Sequence, residues 1–102
     1  MKKYRHPDIK SVPLADIMQA LSDPCRIKIV RHLLSEPERP FACNEIPLKV
    51  NKATRSHHFD ILRASGLAKS AVQGTKCLTV LRYEEIEKKF PGLWKLVAAA
   101  KE

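Results

Sequence analysis

The segment from residue 51 to residue 68, NKATRSHHFDILRASGLA, constrains the fold more than any other part of the chain. Asn51 predicts a helix N-cap, because its side-chain oxygen can accept hydrogen bonds from the free amides of the first turn. Ser65-Gly66 predicts the end of the helix, since glycine tolerates the left-handed backbone that closes helices. These two signals together predict a helix over residues 52–65.

This helix is predicted to have one apolar face and one polar face. Phe59, Ile61 and Leu62 form the apolar face, and at about 100° per residue a polar set lies on the other side. A helix with a buried back and a donor-rich front can lie in a DNA major groove while it packs on its own domain. An ordinary solvated helix face is the alternative. The polar set is Lys52, Ser56, His57, Asp60 and Arg63, with Ala53 beside it.

The length of the chain suits one domain with a modest core, because 102 residues cannot support much more. Residues 1–13 are polar and contain two prolines, which predicts a flexible N-terminal arm before a domain over residues 14–102. No apolar run approaches the ~20 residues that span a bilayer. The basic start, Met1-Lys2-Lys3, is not followed by an apolar stretch, so we expect a cytoplasmic protein without a signal peptide.

The charge balance favours a polyanionic partner. Lysine and arginine outnumber aspartate and glutamate by 19 to 11, which gives a formal net charge of +8. On so small a domain, this excess indicates nucleic acid first and an anionic membrane surface second. A basic protein with no such partner is the alternative.

The first half of the chain is predicted to be helical. Apolar residues spaced three and four apart predict a helix over 14–21. Ser22-Asp23-Pro24 then caps a second, well-buried helix over 24–34. After a proline-rich loop, residues 41–46 are predicted to form a short helix, which Pro47 limits because proline has no amide proton.

The last third is predicted to contain a hairpin and an interrupted helix. Gly74 lies between two short apolar runs, 67–72 and 76–81, and can take the positive φ that a tight hairpin needs. A final helix follows, is interrupted at Pro91-Gly92 and resumes over 93–101. The predicted class is therefore mainly α with a small β-hairpin, in the order helix, helix, short helix, helix, hairpin, helix.

Apolar residues at the two ends of the chain exceed what one small core can bury. We therefore predict that the terminal helices form a two-fold dimer interface, with burial in the monomer core as the alternative. The residues concerned are Leu14, Ile17, Met18, Leu21, Leu93, Trp94, Leu96 and Val97.

The three cysteines do not form a recognisable framework. An odd count argues against structural disulfides, and no C-x-x-C pair suggests a zinc site. Cys25, Cys43 and Cys77 could hold a soft metal ion or respond to oxidants if the fold brought them together. The alternative, which we favour, is that they are small buried hydrophobic residues and that the protein has no cofactor.

Three segments together resemble the ArsR-type (arsenic-repressor-like) winged helix-turn-helix regulators. Residues 20–34, ALSDPCRIKIVRHLL, look like the family's alanine-leucine-x-aspartate-proline-x-arginine opening. Residues 53–67, ATRSHHFDILRASGL, look like its recognition helix, with a serine-histidine-histidine signature and a leucine-arginine-x-x-glycine-leucine exit. The Gly74 hairpin lies where the family has its wing. The match spans most of residues 14–82.

The resemblance implies a homodimeric repressor that binds an inverted-repeat operator in double-stranded DNA. In such proteins the recognition helices enter successive major grooves, the wings touch the DNA backbone or minor groove, and the terminal helices make the dimer interface. On the wing, over residues 67–82, Arg82 is a further candidate, with a solvated hairpin as the alternative. The candidate DNA-binding residues are Lys52, Ala53, Thr54, Arg55, Ser56, His57, Asp60, Arg63, Lys69, Gln73, Thr75 and Lys76.

Several features depart from the family pattern. Many members release DNA when a thiophilic metal binds, but only Cys43 remains where arsenic-sensing members carry C-x-C, and no histidine follows Tyr83. Arg55 occupies a place that is commonly apolar, so it either extends past the core or reaches a phosphate. His58 is expected to be partly buried and hydrogen-bonded, with His57 facing the DNA.

Two other classes of function are compatible with a small domain of this kind. An enzyme is not expected, because no serine-histidine-aspartate arrangement, carboxylate pair, P-loop or dinucleotide loop is present. A protein-interaction module that reuses the winged-helix shape without binding DNA is the other alternative, and a metal- or thiol-responsive derepressor is a variant of the main prediction.

Overall fold

Five helices and a three-stranded sheet make up the computed structural model, which describes residues 4–100. The sheet is antiparallel, with strand order β1-β3-β2. Two short 3-10 segments accompany these elements, at Ile9–Ser11 and Cys43–Glu45. The helices are α1 (Leu14–Ala20), α2 (Pro24–Leu34), α3 (Lys52–Ala64), α4 (Tyr83–Lys89) and α5 (Leu93–Ala99), and the strands are β1 (Phe41–Ala42), β2 (Ala68–Gln73) and β3 (Lys76–Leu81).

The caps that begin α2 and α3 are those predicted from the sequence. The Asp23 carboxylate accepts from the backbone amides of Cys25 and Arg26, at 2.7 and 3.2 Å. The Asn51 side chain accepts from the Thr54 amide at 2.8 Å. Each cap satisfies amides that a helix N-terminus would otherwise leave without a partner.

The end of α3 is a Schellman motif centred on Gly66. The Leu67 amide donates to the Leu62 carbonyl at 3.2 Å, and the Gly66 amide donates to the Arg63 carbonyl at 3.1 Å. Gly66 has a φ of 85°, and a Cβ built there would lie 3.0 Å from the Ile9 side chain. Backbone conformation and close packing therefore both favour glycine at this position.

The wing is a hairpin with a two-residue turn. Gln73 pairs with Lys76, so Gly74 and Thr75 form the turn. Gly74, at the first turn position, has a φ of 63°, whereas Thr75 does not have a positive φ. This combination fits a type II′ turn, whose twist matches that of the flanking strands.

The predicted short helix over residues 41–46 is wrong. Phe41 and Ala42 form β1, which pairs with Thr79 and Leu78 of β3. The next three residues form a single 3-10 turn, in which the Glu45 carboxylate accepts from the Ala42 amide at 2.9 Å. Pairing with a distant strand overrides the local helical pattern here.

Residues 4–13 differ from the loose arm that we predict for residues 1–13; the first three lie outside the described residues. The Lys89 ammonium donates to the backbone carbonyls of Ile9 and Lys10, at 2.8 and 3.0 Å, and also to that of Val12. The Ser70 amide donates to the His6 ring at 3.0 Å. These contacts hold the segment against β2 and α4.

One apolar core joins all five helices to the sheet. Ile29 and Leu33 of α2 lie at its centre, with Phe59 and Leu62 of α3 packed against the same cluster. Because the back of α3 is buried there, its opposite side faces outward. Among residues 4–100, no helix combines the length and the apolar character that a membrane crossing requires.

Candidate nucleic-acid interface

The exposed side of α3 carries five of the predicted DNA-contacting residues, and we call these five the outer face. They come from the first nine residues of the helix, where spacings of three and four place side chains on one side. Thr54 lies at the edge of this surface and is half-buried. The outer face consists of Lys52, Ala53, Ser56, His57 and Asp60, all of them exposed.

The two adjacent histidines of α3 point in different directions, as predicted. His57 is exposed, whereas His58 is 7% exposed and packs against α2. The Arg26 guanidinium lies 3.2 Å from His58 Nδ1. Because arginine can only donate, Nδ1 accepts and the ring proton of the neutral tautomer is on Nε2. His58 therefore joins α3 to α2 and does not belong to the outer face.

Arg55 does not lie on the outer face, although we predict it among the DNA contacts. Its Nη1 donates to the carbonyls of Cys43 and Ile46, at 2.9 and 2.8 Å, and its Nη2 donates to that of Leu48 at 3.4 Å. The planar guanidinium has several fixed donors, so it can satisfy three carbonyls at once. The structure uses Arg55 to fasten α3 to the segment that precedes it.

Arg63 is likewise turned into the molecule and is 6% exposed. It forms an ion pair with Asp60, donates to Ser70 Oγ at 3.2 Å and lies 4.1 Å above the centre of the Tyr4 ring. A side chain with three such partners is not available for a DNA contact without breaking them. The prediction of Arg63 as a DNA contact is therefore corrected to an anchor of α3.

The wing presents the four residues predicted there, but not the additional candidate at its end. Arg82 is 9% exposed; it pairs with Glu85 through two hydrogen bonds of 3.1 and 2.9 Å and donates to the Pro7 carbonyl at 2.7 Å. The pairing with Arg82 lowers the pKa of the Glu85 carboxyl. The exposed wing residues are Lys69, Gln73, Thr75 and Lys76.

The residues predicted for the dimer interface divide into two groups. Four are buried in the core of the single chain: Ile17, Leu93, Trp94 and Val97. Three lie outside, namely Leu14, Met18 and Leu96, at 50%, 45% and 66% exposure, and Leu21 is half-buried. The prediction that all eight residues form the interface is corrected for the buried four. On a helix of seven residues the apolar face is narrow, so neighbouring apolar residues point to different sides and some pack inward while others point outward.

A groove between α1 and α5 is lined by Met18, Leu21 and Leu96 of the outward group. Ile27 of α2 and the largely buried Leu93 and Val97 also line it. Trp94 does not line the groove. Its indole nitrogen donates to the Tyr83 carbonyl at 2.9 Å, and its ring stacks on that of Tyr83. Apolar surface open to solvent in this way is typical of an interface.

The fold does not bring the three cysteines together. Cys25 lies with Asp23 and His58, whose potential ligand atoms are within 4.8 Å of one another. The Arg26 guanidinium also occupies this corner, through its contact with His58, and a positive charge opposes a bound cation. Cys43 and Cys77 are instead in contact with each other, with 2.9 Å between their sulfur atoms. The structure therefore does not assemble the three-thiolate site, which the sequence left open as the less favoured alternative.

Sequence reasoning missed the residues that surround this thiol pair. Thr79 is fully buried, and its hydroxyl lies 3.4 Å from Cys43 Sγ and 2.7 Å from Ser70 Oγ. Tyr4 donates to Cys77 Sγ at 3.4 Å from the other side. The alternation of polar and apolar residues in β3 is the signal that could have placed Thr79 and Cys77 on one face of a strand.

The sequence is similar to two helix-turn-helix regulators. The HTH-type transcriptional regulator YceK of Bacillus subtilis (strain 168), itself uncharacterized, is 34% identical over 80 residues, which are 76% of this chain and 79% of that protein. The uncharacterized HTH-type transcriptional regulator MJ1325 of Methanocaldococcus jannaschii is 39% identical over 62 residues, or 60% of this chain and 68% of that protein. No model of a known protein family matches the chain.

The fold is similar to two solved structures. One is the crystal structure of an ArsR family transcriptional regulator, RHA00566, with a TM-score of 0.67 and 24% identity over 81% of this chain and 90% of that one. The other is an ArsR-like transcriptional regulator from Rhodococcus sp. RHA1, with a TM-score of 0.63 and 25% identity over 83% and 79% of the two chains. The predicted winged helix-turn-helix fold is thereby confirmed, and these relatives are regulators rather than enzymes.

Proposed function

Because the chain belongs to the ArsR-type winged helix-turn-helix transcriptional regulators, we propose that it is a homodimeric repressor that binds an inverted-repeat operator in double-stranded DNA. In this proposal the outer face of α3 enters the major groove and the wing contacts the DNA backbone. The observation that carries it is the division of α3 into an exposed polar side and a back that is fixed by packing and hydrogen bonds.

Chemical variety on the outer face supports base contact as well as phosphate contact. Lys52 and Ser56 are four residues apart near the N-terminal end of α3, where lysine or serine can reach a phosphate or a guanine edge. Ala53 offers a methyl group of the kind that packs against thymine. His57 follows Ala53 by one turn and adds a hydrogen-bonding ring to the same side.

Asp60 does not contradict this role, although a bare carboxylate would be repelled by DNA phosphates. Its ion pair with Arg63 places a positive guanidinium directly behind it. The pair is neutral as a unit, and its carboxylate can still accept a hydrogen bond from a cytosine amine. This pairing supports the presence of an acidic residue on the outer face.

The wing and the overall charge also support DNA binding. Lys69 and Lys76 are exposed on the hairpin, and Gln73 and Thr75 at its tip supply neutral donors for phosphate oxygens. The chain carries a net charge of +8. Neutralising phosphates with such residues releases counterions, so binding is expected to weaken steeply as salt is raised.

The groove between α1 and α5 supports the dimer. Met18 on α1 and Leu96 on α5 both line this groove. Exposed Leu14 lies one helical turn before Met18 and extends the apolar strip. A two-fold interface uses the same patch on both copies, so one apolar strip can cover itself. Two copies joined in this way would present two α3 helices to DNA, which is what an inverted repeat requires.

The test is the double variant Lys52→Ala/His57→Ala. We expect its affinity for a labelled duplex, selected from a random-sequence pool by the unmodified protein, to fall about 100-fold, because each good base or phosphate contact contributes about 1–3 kcal/mol. Fluorescence anisotropy at two salt concentrations measures the affinity. The single change Lys52→Ala should also reduce the slope of log affinity against log salt by about one unit.

Lys88→Ala is the matched control, since Lys88 is an exposed lysine on α4 and is not on the outer face. It should bind the selected duplex nearly as well as the unmodified protein. Circular dichroism must show that the double variant is folded. Unchanged affinity in the folded double variant would contradict the assignment of α3, and failure of the unmodified protein to enrich any duplex at low salt would favour a protein-interaction module.

A further inference from the structure

Cys43 directly follows β1 and lies against Cys77 of β3. Phe41 pairs with Thr79 and Ala42 with Leu78, so the end of β1 brings the following residue, Cys43, next to Cys77. Their sulfur atoms are 2.9 Å apart, and both cysteines are free thiols. The sulfur atoms therefore need to approach by only about 1 Å to reach the S–S bond length of about 2.05 Å.

The two thiols occupy different chemical settings. Cys77 Sγ accepts a hydrogen bond from the Cys43 thiol at 2.9 Å and another from the Tyr4 hydroxyl at 3.4 Å. Burial opposes ionisation, but these two donors and the nearby Arg63 charge lower the pKa of Cys77. Burial and the bond to Cys77 raise the pKa of Cys43 to about 11. The pair thus combines a thiol whose pKa is lowered with one whose pKa is raised.

The surroundings hold this arrangement in place. Cys43 Sγ lies 3.4 Å from the Thr79 hydroxyl, which is 2.7 Å from Ser70 Oγ, and Arg63 donates to that same serine at 3.2 Å. Arg63 also lies over the ring of Tyr4. The thiols are therefore the end of a hydrogen-bonded chain that begins on α3. Both cysteines are half-buried, so a small oxidant can reach them.

We propose that Cys43 and Cys77 form an oxidation site for peroxides, in which Cys77 attacks and Cys43 closes a reversible disulfide between β3 and the turn that follows β1. This site stands apart from the proposed DNA binding and does not depend on it. It also differs from a metal site, because the structure supplies two thiols in contact and separates the third cysteine from them.

The reaction balances with one molecule of hydrogen peroxide. The Cys77 thiolate attacks one peroxide oxygen, the O–O bond breaks, and the leaving hydroxide takes a proton to form water, which leaves a sulfenic acid on Cys77. The Cys43 sulfur then attacks the Cys77 sulfur, the S–O bond breaks, and the leaving hydroxide takes the Cys43 proton as a second water. Two thiols are oxidised to one disulfide while the peroxide is reduced to two waters.

Cys25 provides a control within the chain. It is also half-buried, but it lies beside Asp23 rather than beside a thiol donor. Burial and the negative charge of Asp23 raise the pKa of the Cys25 thiol. We therefore expect Cys25 to stay reduced under conditions that oxidise the other two cysteines.

Tryptic mapping tests the disulfide directly. Cleavage after lysine and arginine, but not before proline, places the three cysteines in separate peptides over residues 11–26, 32–49 and 77–82. After treatment of the reduced protein with hydrogen peroxide and alkylation of free thiols, we expect a linked pair of the second and third peptides, lighter by about 2 Da than their sum. Dithiothreitol should restore both. Recovery of both peptides fully alkylated, or a link to the first peptide, would overturn the proposal.

Variants separate the roles of the two thiols. Cys43→Ser should leave a sulfenic acid on Cys77 that dimedone labels, whereas Cys77→Ser should show no labelling at Cys43. Cys25→Ser is the control and should form the disulfide as the unmodified protein does. Dimedone labelling of Cys43 in the Cys77→Ser variant, at the level seen for Cys77 in the Cys43→Ser variant, would contradict the assigned roles.

A rate measurement keeps the proposal testable even if a variant fails to fold. In the unmodified protein at pH 7, we expect iodoacetamide to alkylate Cys77 at least about tenfold faster than Cys43, since only the thiolate reacts. Tyr4→Phe should slow Cys77 alkylation by removing one donor to its sulfur. Faster alkylation of Cys43 or Cys25 would overturn the choice of Cys77 as the attacking thiol.

Discussion

Helix α3 and the terminal helices α1 and α5 can be compared directly, because on both the sequence predicts a set of residues that face a partner. In α3, the selected set divides into the exposed outer face and two arginines, Arg55 and Arg63, that turn inward. On the terminal helices the set divides into exposed Met18 and Leu96 and buried Ile17 and Trp94. In both regions, a prediction from side-chain character alone places some buried residues on the outward side of the helix.

The reason for the division differs between the two regions. The α3 arginines are held inside by hydrogen bonds to carbonyls and hydroxyls from other segments, which only a multi-donor cation can satisfy together. The buried residues of α1 and α5 are held by packing, because an apolar side chain gains most where solvent is fully excluded. Whether a side chain faces outward or is held inside therefore depends on the partners that the fold supplies for it. Variants can test each case.

The largest effect is expected for Trp94→Ala. Trp94 is 2% exposed, donates to the Tyr83 carbonyl and stacks on the Tyr83 ring. Removing so large a buried side chain should lower the free energy of unfolding by about 4 kcal/mol, measured by urea denaturation. If the variant kept its stability and lost only its dimer, Trp94 would belong to the interface, as the sequence suggests.

A smaller effect is expected for Arg63→Met, which keeps the length of the side chain and removes its charge. The variant loses the bond to Ser70, the ion pair with Asp60 and the contact with the Tyr4 ring. We expect the free energy of unfolding to fall by about 2 kcal/mol, because hydrogen bonds that involve a charged group contribute about 1.5–3 kcal/mol.

Lys52→Met on the same helix is the control for this change. Lys52 is exposed on the outer face, so we expect its replacement to alter stability by less than about 0.5 kcal/mol. Equal unfolding curves for the two methionine variants would remove the distinction between anchoring and outward cations in α3.

Local signals in the sequence account for most of the fold. Asn51 and Gly66 locate both ends of α3, and Asp23 locates the start of α2, because caps act within three or four residues. Gly74 locates the wing for the same reason. The outer face of α3 follows from helical periodicity once the apolar back is identified.

The features that could not be predicted depend on contacts between residues far apart in the chain. β1 has only two residues and exists because Phe41 pairs with Thr79. Arg55 turns inward because carbonyls before α3 converge on it, and Lys89 fixes residues 9–12 from the other end of the chain. No spacing rule on one segment contains this information, so these assignments required the structure.

The smallest effect on the fold is expected for Leu96→Asp, which tests the outward half of the comparison. Leu96 is 66% exposed, so its replacement should leave the circular dichroism spectrum unchanged at 25 °C. In a two-fold interface, however, one substitution introduces two buried carboxylates, and each loses water without gaining a partner. We therefore expect sedimentation velocity to show dimers for the unmodified protein, as proposed above, and monomers for the variant. Ala98→Asp, which adds the same charge at an exposed position two residues along α5, is the matched control and should remain dimeric. A dimeric Leu96→Asp variant would exclude the α1–α5 groove as the interface.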